Sequence, residues 1–351
     1  MPEFHVGARR VGACHPPFVI AEVGINHNGD LATALRMCEV AKESGADAVK
    51  FQTFKADEFC GDPAQTYTYV SQGQSITEPM LEMFRRYELG VHDWKAIKLH
   101  CDKIGITFFS TPQNESDLRL LLELGVPVLK IGSDDLTNTP LVRAYSRVGL
   151  PLILSSGMSD LADVERALEA ADWFAGGQVA LLQCTSQYPT PPGDVNILKI
   201  RTLQGAFPGL VVGFSDHTQG ATAATLAVGL GARIFEKHFT LDHAMPGPDH
   251  WFSEDPGGLV RWASTIRQAD EMLGSPLVRP TEVESEARST MRRSVVALRS
   301  IDAGGQLSPE NVGLRRAESG LSPNMIERIW GMSAARSIRA GEGIDIGDVQ
   351  K

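Results

Sequence analysis

Eight short apolar runs, each followed by an amphipathic segment, constrain this chain more than any other feature. They are FVIAEV (18–23), AVKFQTF (48–54), ITFFST (106–111), VPVLKIG (126–132), PLILSSG (151–157), VALLQCT (179–185), LVVGFS (210–215) and RIFEKHF (233–239). Runs this short and this continuously apolar read as strands buried on both faces. Segments such as LATALRMCEVAKESGA, HDWKAIKLHCDKIG and ESDLRLLLELG read as helices, several closed by a Gly just past the C-terminus. Eight such units over about 270 residues predict an α/β fold, a (β/α)8 TIM barrel. A doubly wound sheet is the alternative, although no strand leads into a GxGxxG turn.

The pattern changes near Gly274. SPLVRPTEVESEARSTMRRS is polar, and SVVALRSIDAGGQLSPENVGLRR and SIRAGEGIDIGDVQ then repeat a strand, a turn containing Ala-Gly and a polar end. The expected organisation is a barrel domain over 1–275, a linker over 276–290 and a small β-rich domain over 291–351. A net charge of -10 and the lack of a basic tail argue against nucleic acid as a partner. An anionic substrate would be captured by a local cluster of lysines and backbone N–H groups. Five scattered cysteines with no CxxC pair indicate neither a disulfide scaffold nor a structural zinc site. No signal-peptide pattern and no run of roughly 20 apolar residues is present, so a cytoplasmic protein without a membrane partner is expected.

In such a barrel, chemistry sits at the C-terminal strand ends. The polar residues there are Glu22; Lys50 and Gln52; Ser110 and Thr111; Lys130 with Ser133, Asp134 and Asp135; Ser155 and Ser156; Cys184 with Ser186 and Tyr188; Ser215 with His217; and His238. A lysine inside an apolar strand is costly to bury unless it meets an anion. Lys50 and Lys130 therefore indicate a phosphate or carboxylate, or internal neutralisation by Glu22 or Asp135. The serines and Gly157 add hydroxyl and backbone donors at the mouth. His217 and His238 end adjacent strands near Asp216, Asp242 and Asp249, and two imidazoles with open positions suit a divalent metal. Neither HxH nor HExxH occurs. The strand lysines also admit Schiff-base aldolase chemistry, whereas Cys184 shows no paired base.

Taken in order, IAEVGINHNGD, AVKFQTF, STP at 110–112, LKIGSDDLTNTPL, LILSSGM, LLQCTSQYPTP, GFSDHT and EKHFTLDHAMPGPDHWFS resemble the sialic acid synthase family. RRSVVALRSIDAGGQLSPENVGLRR and SIRAGEGI resemble that family's C-terminal antifreeze-like (SAF) domain. The resemblance implies a cytoplasmic transferase that joins phosphoenolpyruvate to an N-acetylated amino sugar, giving a nine-carbon 2-keto acid. It implies phosphoenolpyruvate binding by Lys50, Thr111, Lys130, Ser133, Ser155 and Ser215 with Gln52 nearby, and Mn2+ or Mg2+ on His217 and His238. Tyr188 and Asp249 match sugar contacts, and Glu22 and Asp135 match acids for water activation and hydroxyl contact. Arg316 matches an arginine that reaches into the partner barrel of a domain-swapped homodimer. Ser186 stands where many relatives have Asn, Asp134-Asp135 where they have Gly-Glu, and Ala317-Glu318 where they have Pro-Gly. YTYVSQGQSITEPMLEMFRRYELG also departs from an N-acetylneuraminate synthase. These departures fall on the acceptor side and leave the acceptor open among N-acetylmannosamine and the di-N-acetylated sugars of the legionaminic and pseudaminic types, with the legionaminic type slightly ahead of N-acetylmannosamine.

Overall fold

The apolar runs form eight strands: β1 (Phe18–Gly24), β2 (Ala48–Thr53), β3 (Thr107–Pro112), β4 (Leu129–Ile131), β5 (Leu152–Ser155), β6 (Val179–Cys184), β7 (Val211–Ser215) and β8 (Ile234–His238). In this computed structural model, which describes residues 3–351, all eight pair in parallel and close with β8 against β1. Closure rules out the doubly wound sheet. β4 is the shortest because Pro127 has no N–H to give a neighbour and Gly132 already begins the turn.

Period-two alternation divides the side chains. Along β8, Glu236 and His238 line the central cavity, while Lys237 points to the outside of the barrel. There Lys237 Nζ meets Asp216 Oδ2 at 3.1 Å and the carbonyls of Thr218 and Gly220, under the ring of Trp262 on helix Pro256–Leu273. Trp262 Nε1 also donates to Asp216 Oδ2 at 2.9 Å. This buried cluster joins the outer sides of the two segments whose inner sides carry His217 and His238.

Two hairpins lie outside the expected pattern. One, Glu3–Val6 with Arg9–Gly12, precedes β1. The other, Thr66–Ser71 with Gln74–Pro79, rises from the connection between β2 and β3 and leads into helix Met80–Tyr87. It turns through Gln72 and Gly73 at φ 51° and 77°, a two-residue turn whose twist matches that of paired strands.

The chain divides into units Met1–Gly274 and Ser275–Lys351. The second contains helix Glu282–Met291, the antiparallel pair Arg293–Ala297 with Val312–Arg316, and the short pair Ser333–Ala334 with Val349–Gln350. Its own core gathers Val295, Ile301, Leu307, Val312, Ile338 and Ile344. Both Ala-Gly turns use a left-handed glycine, Gly304 at φ 79° and Gly341 at φ 83°. Among the described residues no helix is long and apolar enough to cross a membrane.

His27, just past β1, is fully buried against Phe51 and Trp94, with Nδ1 accepting from Gly29 N at 3.0 Å. Burial pushes its pKa from 6.5 down to about 3. Between those values the unfolded chain binds a proton that the folded chain refuses, so this contribution to stability is lost as pH falls below 6.5. Glu22, Asp117 and Asp249 have raised pKa values and act in the opposite sense, so a variant comparison isolates the histidine. The stability gap between wild type and His27→Asn in urea unfolding should narrow by about 2 kcal/mol from pH 7 to pH 5. A gap independent of pH would show that the imidazole is not held neutral.

Candidate active site

A cavity of about 800 Å³ opens above the C-terminal strand ends. Its floor is a buried cluster of two lysines and two glutamates. Lys50 Nζ lies 2.8 Å from Glu22 Oε1 and 3.8 Å from Glu236 Oε2, with Thr111 Oγ1 at 3.4 Å. Lys130 Nζ donates to Ser155 Oγ at 2.6 Å and to Ile131 O at 3.0 Å. Burial alone would push the Lys50 ammonium down, but Glu22 and Glu236 overcome it and the net displacement is upward. For Lys130, burial prevails and the displacement is downward. Burial also acts to raise Glu236, yet the two lysines hold it below the usual carboxylate range. Glu22 takes the opposite course: burial, aided by the Glu236 charge and opposed by Lys50, raises it to about 7. The floor therefore holds Lys50 and Glu236 toward their charged forms and displaces Lys130 and Glu22 toward their neutral ones.

Hydroxyls converge beside the lysines. Ser133 Oγ accepts from Gly157 N at 3.0 Å, and Ser215 Oγ donates to Glu236 Oε1 at 3.0 Å. Gly157 has no room for a side chain, since a Cβ there would lie 2.3 Å from Ser186 Oγ and 2.6 Å from Ser133 Oγ. Ser186 Oγ is buried without a protein partner, a donor waiting for a ligand oxygen. Gln52 completes this part of the wall.

Across the cavity, the His217 and His238 rings stand 5.6 Å apart. His217 Nδ1 faces the Thr185 carbonyl at 2.7 Å and Nε2 lies 3.5 Å from Ser215 Oγ; burial acts to lower the pKa of this imidazole, but Cys184 and the Thr185 carbonyl outweigh it and the net displacement is upward. Burial, reinforced by His217 and the lysines, holds His238 neutral; its Nδ1 has no hydrogen-bond partner and lies 3.9 Å from Asp249 Oδ2. Burial raises Asp249 to about 6. Tyr188 packs 4.1 Å from the His217 ring, and Phe252 packs 5.4 Å from that of His238. Two facing imidazoles fit a divalent cation, which would take their unprotonated forms. Among the described residues no group of three or more His, Cys, Asp or Glu side chains is arranged for one, so water and substrate would supply the remaining positions.

Most of the predicted residues meet here: Glu22, Lys50, Gln52, Thr111, Lys130, Ser133, Ser155, Ser186, Tyr188, Ser215, His217, His238 and Asp249 all line this cavity. Asp135 does not. Its carboxylate accepts from Asn138 Nδ2 at 3.0 Å at the start of the next helix, and its neighbour Asp134 takes the place on the cavity wall. Arg316 belongs to the second unit, where it is exposed at the end of its strand opposite Arg293. Glu236 was not singled out from the sequence, although its position two residues before His238 on a strand signals the same face. His217 Nδ1 also lies 3.8 Å from Cys184 Sγ, a proximity that spacing does not reveal. The remaining histidines of the 236–253 stretch are structural. His243 Nε2 bonds Ser253 O at 2.7 Å, and His250 bridges Thr240 Oγ1 and Asn28 Oδ1 at 2.7 and 3.0 Å.

Residues 37–277 match the NeuB family, well over half of the chain. The chain belongs to the NeuB family. Residues 292–350 of this NeuB-family chain match the SAF domain, as the motifs of the C-terminal segment imply. It is 40% identical over 339 residues to the N,N'-diacetyllegionaminic acid synthase of Legionella pneumophila, covering 95% of each protein. It is 37% identical to the enzyme of the same name from Campylobacter jejuni, covering 92% of this chain and 97% of the relative. The N-acetylneuraminic acid synthetase of Leptospira borgpetersenii, crystallised in complex with citrate, superposes with a TM-score of 0.73 at 32% identity. That match covers 82% of this chain and 97% of the other.

Proposed function

We propose that this protein is a transferase that condenses phosphoenolpyruvate with an open-chain N-acetylated amino sugar and water, releasing phosphate and a nine-carbon 2-keto acid. One observation carries this reading. A buried floor of two lysines and two glutamates, converging hydroxyls and a facing pair of imidazoles occupy one cavity of a NeuB-family barrel. Lys50, Lys130, Thr111, Ser133, Ser155, Ser186 and Ser215 neutralise and orient the carboxylate and phosphate of phosphoenolpyruvate. Tyr188 and Asp249 hold the sugar. His217 and His238 would hold a divalent cation, Mn2+ or Mg2+, which when bound would supply Lewis acidity at the aldehyde oxygen. C3 of phosphoenolpyruvate forms a bond to the aldehyde carbon, and water adds to the electron-deficient C2. Glu22, with its pKa near 7, accepts the proton of that water, and the C2–O bond to phosphate then breaks. Asp135, bonded to Asn138 outside the cavity, is not given this role. The ion pair of Lys50 with Glu22 keeps that amine protonated and argues against a Schiff base at Lys50.

The reading extends to a cytoplasmic homodimer in which Arg316, exposed on its strand, reaches the barrel of a second copy. The names of the two bacterial relatives favour a di-N-acetylated acceptor of the legionaminic type. The test combines phosphoenolpyruvate, Mn2+ and a panel of amino-sugar aldoses in water enriched in heavy oxygen. Phosphate release should require both substrates, and the label should enter the keto acid and not the phosphate. Label in phosphate would overturn the proposed bond cleavage.

A further inference from the structure

The hairpin Thr66–Pro79 and helix Met80–Tyr87 form the cavity wall that the chemistry above leaves unused. Ile25, Phe54 and Met83 are buried and line the cavity on this side. Phe59 and Phe84 are half-buried and line the cavity, with Phe84 edge-on to both Phe54 at 5.1 Å and Phe59 at 5.0 Å. Tyr69 also lines it, but its hydroxyl is occupied: it donates to Glu78 Oε1 at 2.6 Å, and Arg86 Nη1 holds the other oxygen of Glu78 at 2.7 Å. Tyr69 therefore presents a ring and not a hydrogen-bond donor. The hairpin tip is fastened to the segment after β8. Gln72 Nε2 donates to Ala244 O at 2.7 Å, and Gly247 N donates to Ser71 Oγ at 3.0 Å.

The cavity thus has two chemically distinct sides. Its floor is ionic, whereas this wall is mostly ring edges and thioether, the polar exceptions on the hairpin being Tyr67, stacked on Tyr69, and Thr68, whose hydroxyl is bonded to that of Thr77. A sugar hydroxyl pressed against such a wall would lose water without gaining a partner, whereas a methyl group gains by leaving water. The wall stands past the ends of β1 and β2, where Ile25, Phe54 and Phe59 follow their strands, and the imidazoles stand at the ends of β7 and β8. Because β8 pairs with β1, the wall adjoins the imidazoles in the same cavity, within the span of an acceptor whose aldehyde were held at them. We propose that this hairpin and helix select the acceptor, their apolar wall seating the methyl of a second acylamino group at the end of the sugar remote from the aldehyde. The proposal rests on the synthase reading and names the side chains that choose among its acceptors.

The test compares three aldoses with phosphoenolpyruvate and Mn2+: one with a second N-acetyl group, its N-formyl analogue lacking only the methyl, and N-acetylmannosamine. Wild type should lose about tenfold or more in kcat/KM from N-acetyl to N-formyl, as one methyl group in an apolar pocket commonly commands. Phe84→Ala should bring that ratio close to one while leaving the KM for phosphoenolpyruvate within about twofold, and Phe84→Leu should restore part of the discrimination. Should Phe84→Ala fail to fold, Phe59→Ala makes the same comparison from the other side of the wall. Equal kcat/KM for all three sugars in wild type, or a ratio unmoved in the folded variants, overturns the proposal and leaves the synthase reading intact. The absence of phosphate release with every aldose would instead overturn the synthase reading.

Discussion

Replacing Lys50 with Met is expected to abolish turnover and to destabilise the barrel by about 3 to 5 kcal/mol, the usual consequence of removing one partner from a buried ion cluster. The substitution nearly preserves volume, so packing contributes little to the effect. Glu22 and Glu236 would then face each other with only Lys130 to offset them. Relief comes from protonation, so the deficit should shrink as pH falls from 8 toward 5. Urea unfolding of Lys50→Met across that range measures it, with phosphoenolpyruvate binding followed by calorimetry. If the variant retained wild-type stability at pH 8 and bound phosphoenolpyruvate normally, the lysine would be neither the counterion nor the anion anchor. The double variant Lys50→Met/Glu22→Gln provides a control, because removing the orphaned acid should recover much of the stability without recovering binding.

Metal removal should have an effect of similar size on the rate and almost none on the fold. Chelation is expected to reduce turnover by about a thousandfold or more, with recovery on adding Mn2+ or Mg2+. His217→Ala should give the same loss without recovery. Its binding of phosphoenolpyruvate should remain within a few-fold of wild type, because the lysine floor belongs to β2 and β4 and the imidazole to the end of β7. Electron paramagnetic resonance of added Mn2+ reads the site directly. Wild type should show a bound-ion spectrum, and His217→Ala and His238→Ala should show free ion. Turnover unchanged by chelation, or normal Mn2+ binding by both variants, would remove the metal from the mechanism.

How much of this was legible beforehand depended on whether the signal was local. The eight apolar runs and the Gly stops of their helices identify a barrel because strand and helix periods are properties of neighbouring residues. Lys50 and Lys130 are conspicuous because charge inside an apolar strand has few physical explanations. The 66–79 hairpin was missed because its signal, Gln72-Gly73 between alternating residues, is weak without a favoured Asn or Asp at the turn. Asp134 and Asp135 are adjacent and chemically equivalent, so only the course of the turn determines that Asp134 reaches the cavity and Asp135 meets Asn138.

The chain's own order of residues determined the barrel, the boundary near Gly274, the strand-end positions of the polar groups and the family to which the motifs belong. Only the tertiary structure decided which acid carries the extra proton. Glu22 and Glu236 are more than two hundred residues apart in sequence, and their unequal pKa values depend on burial, on distances of a few ångströms to Lys50 and on the charge of Lys130. Only the structure set the His217 ring against a carbonyl 2.7 Å away and placed Phe59 and Phe84 on the wall of the cavity that the imidazoles share. Periodicity acts over a few residues, whereas desolvation and Coulomb energy depend on separations in space that the closed barrel alone creates.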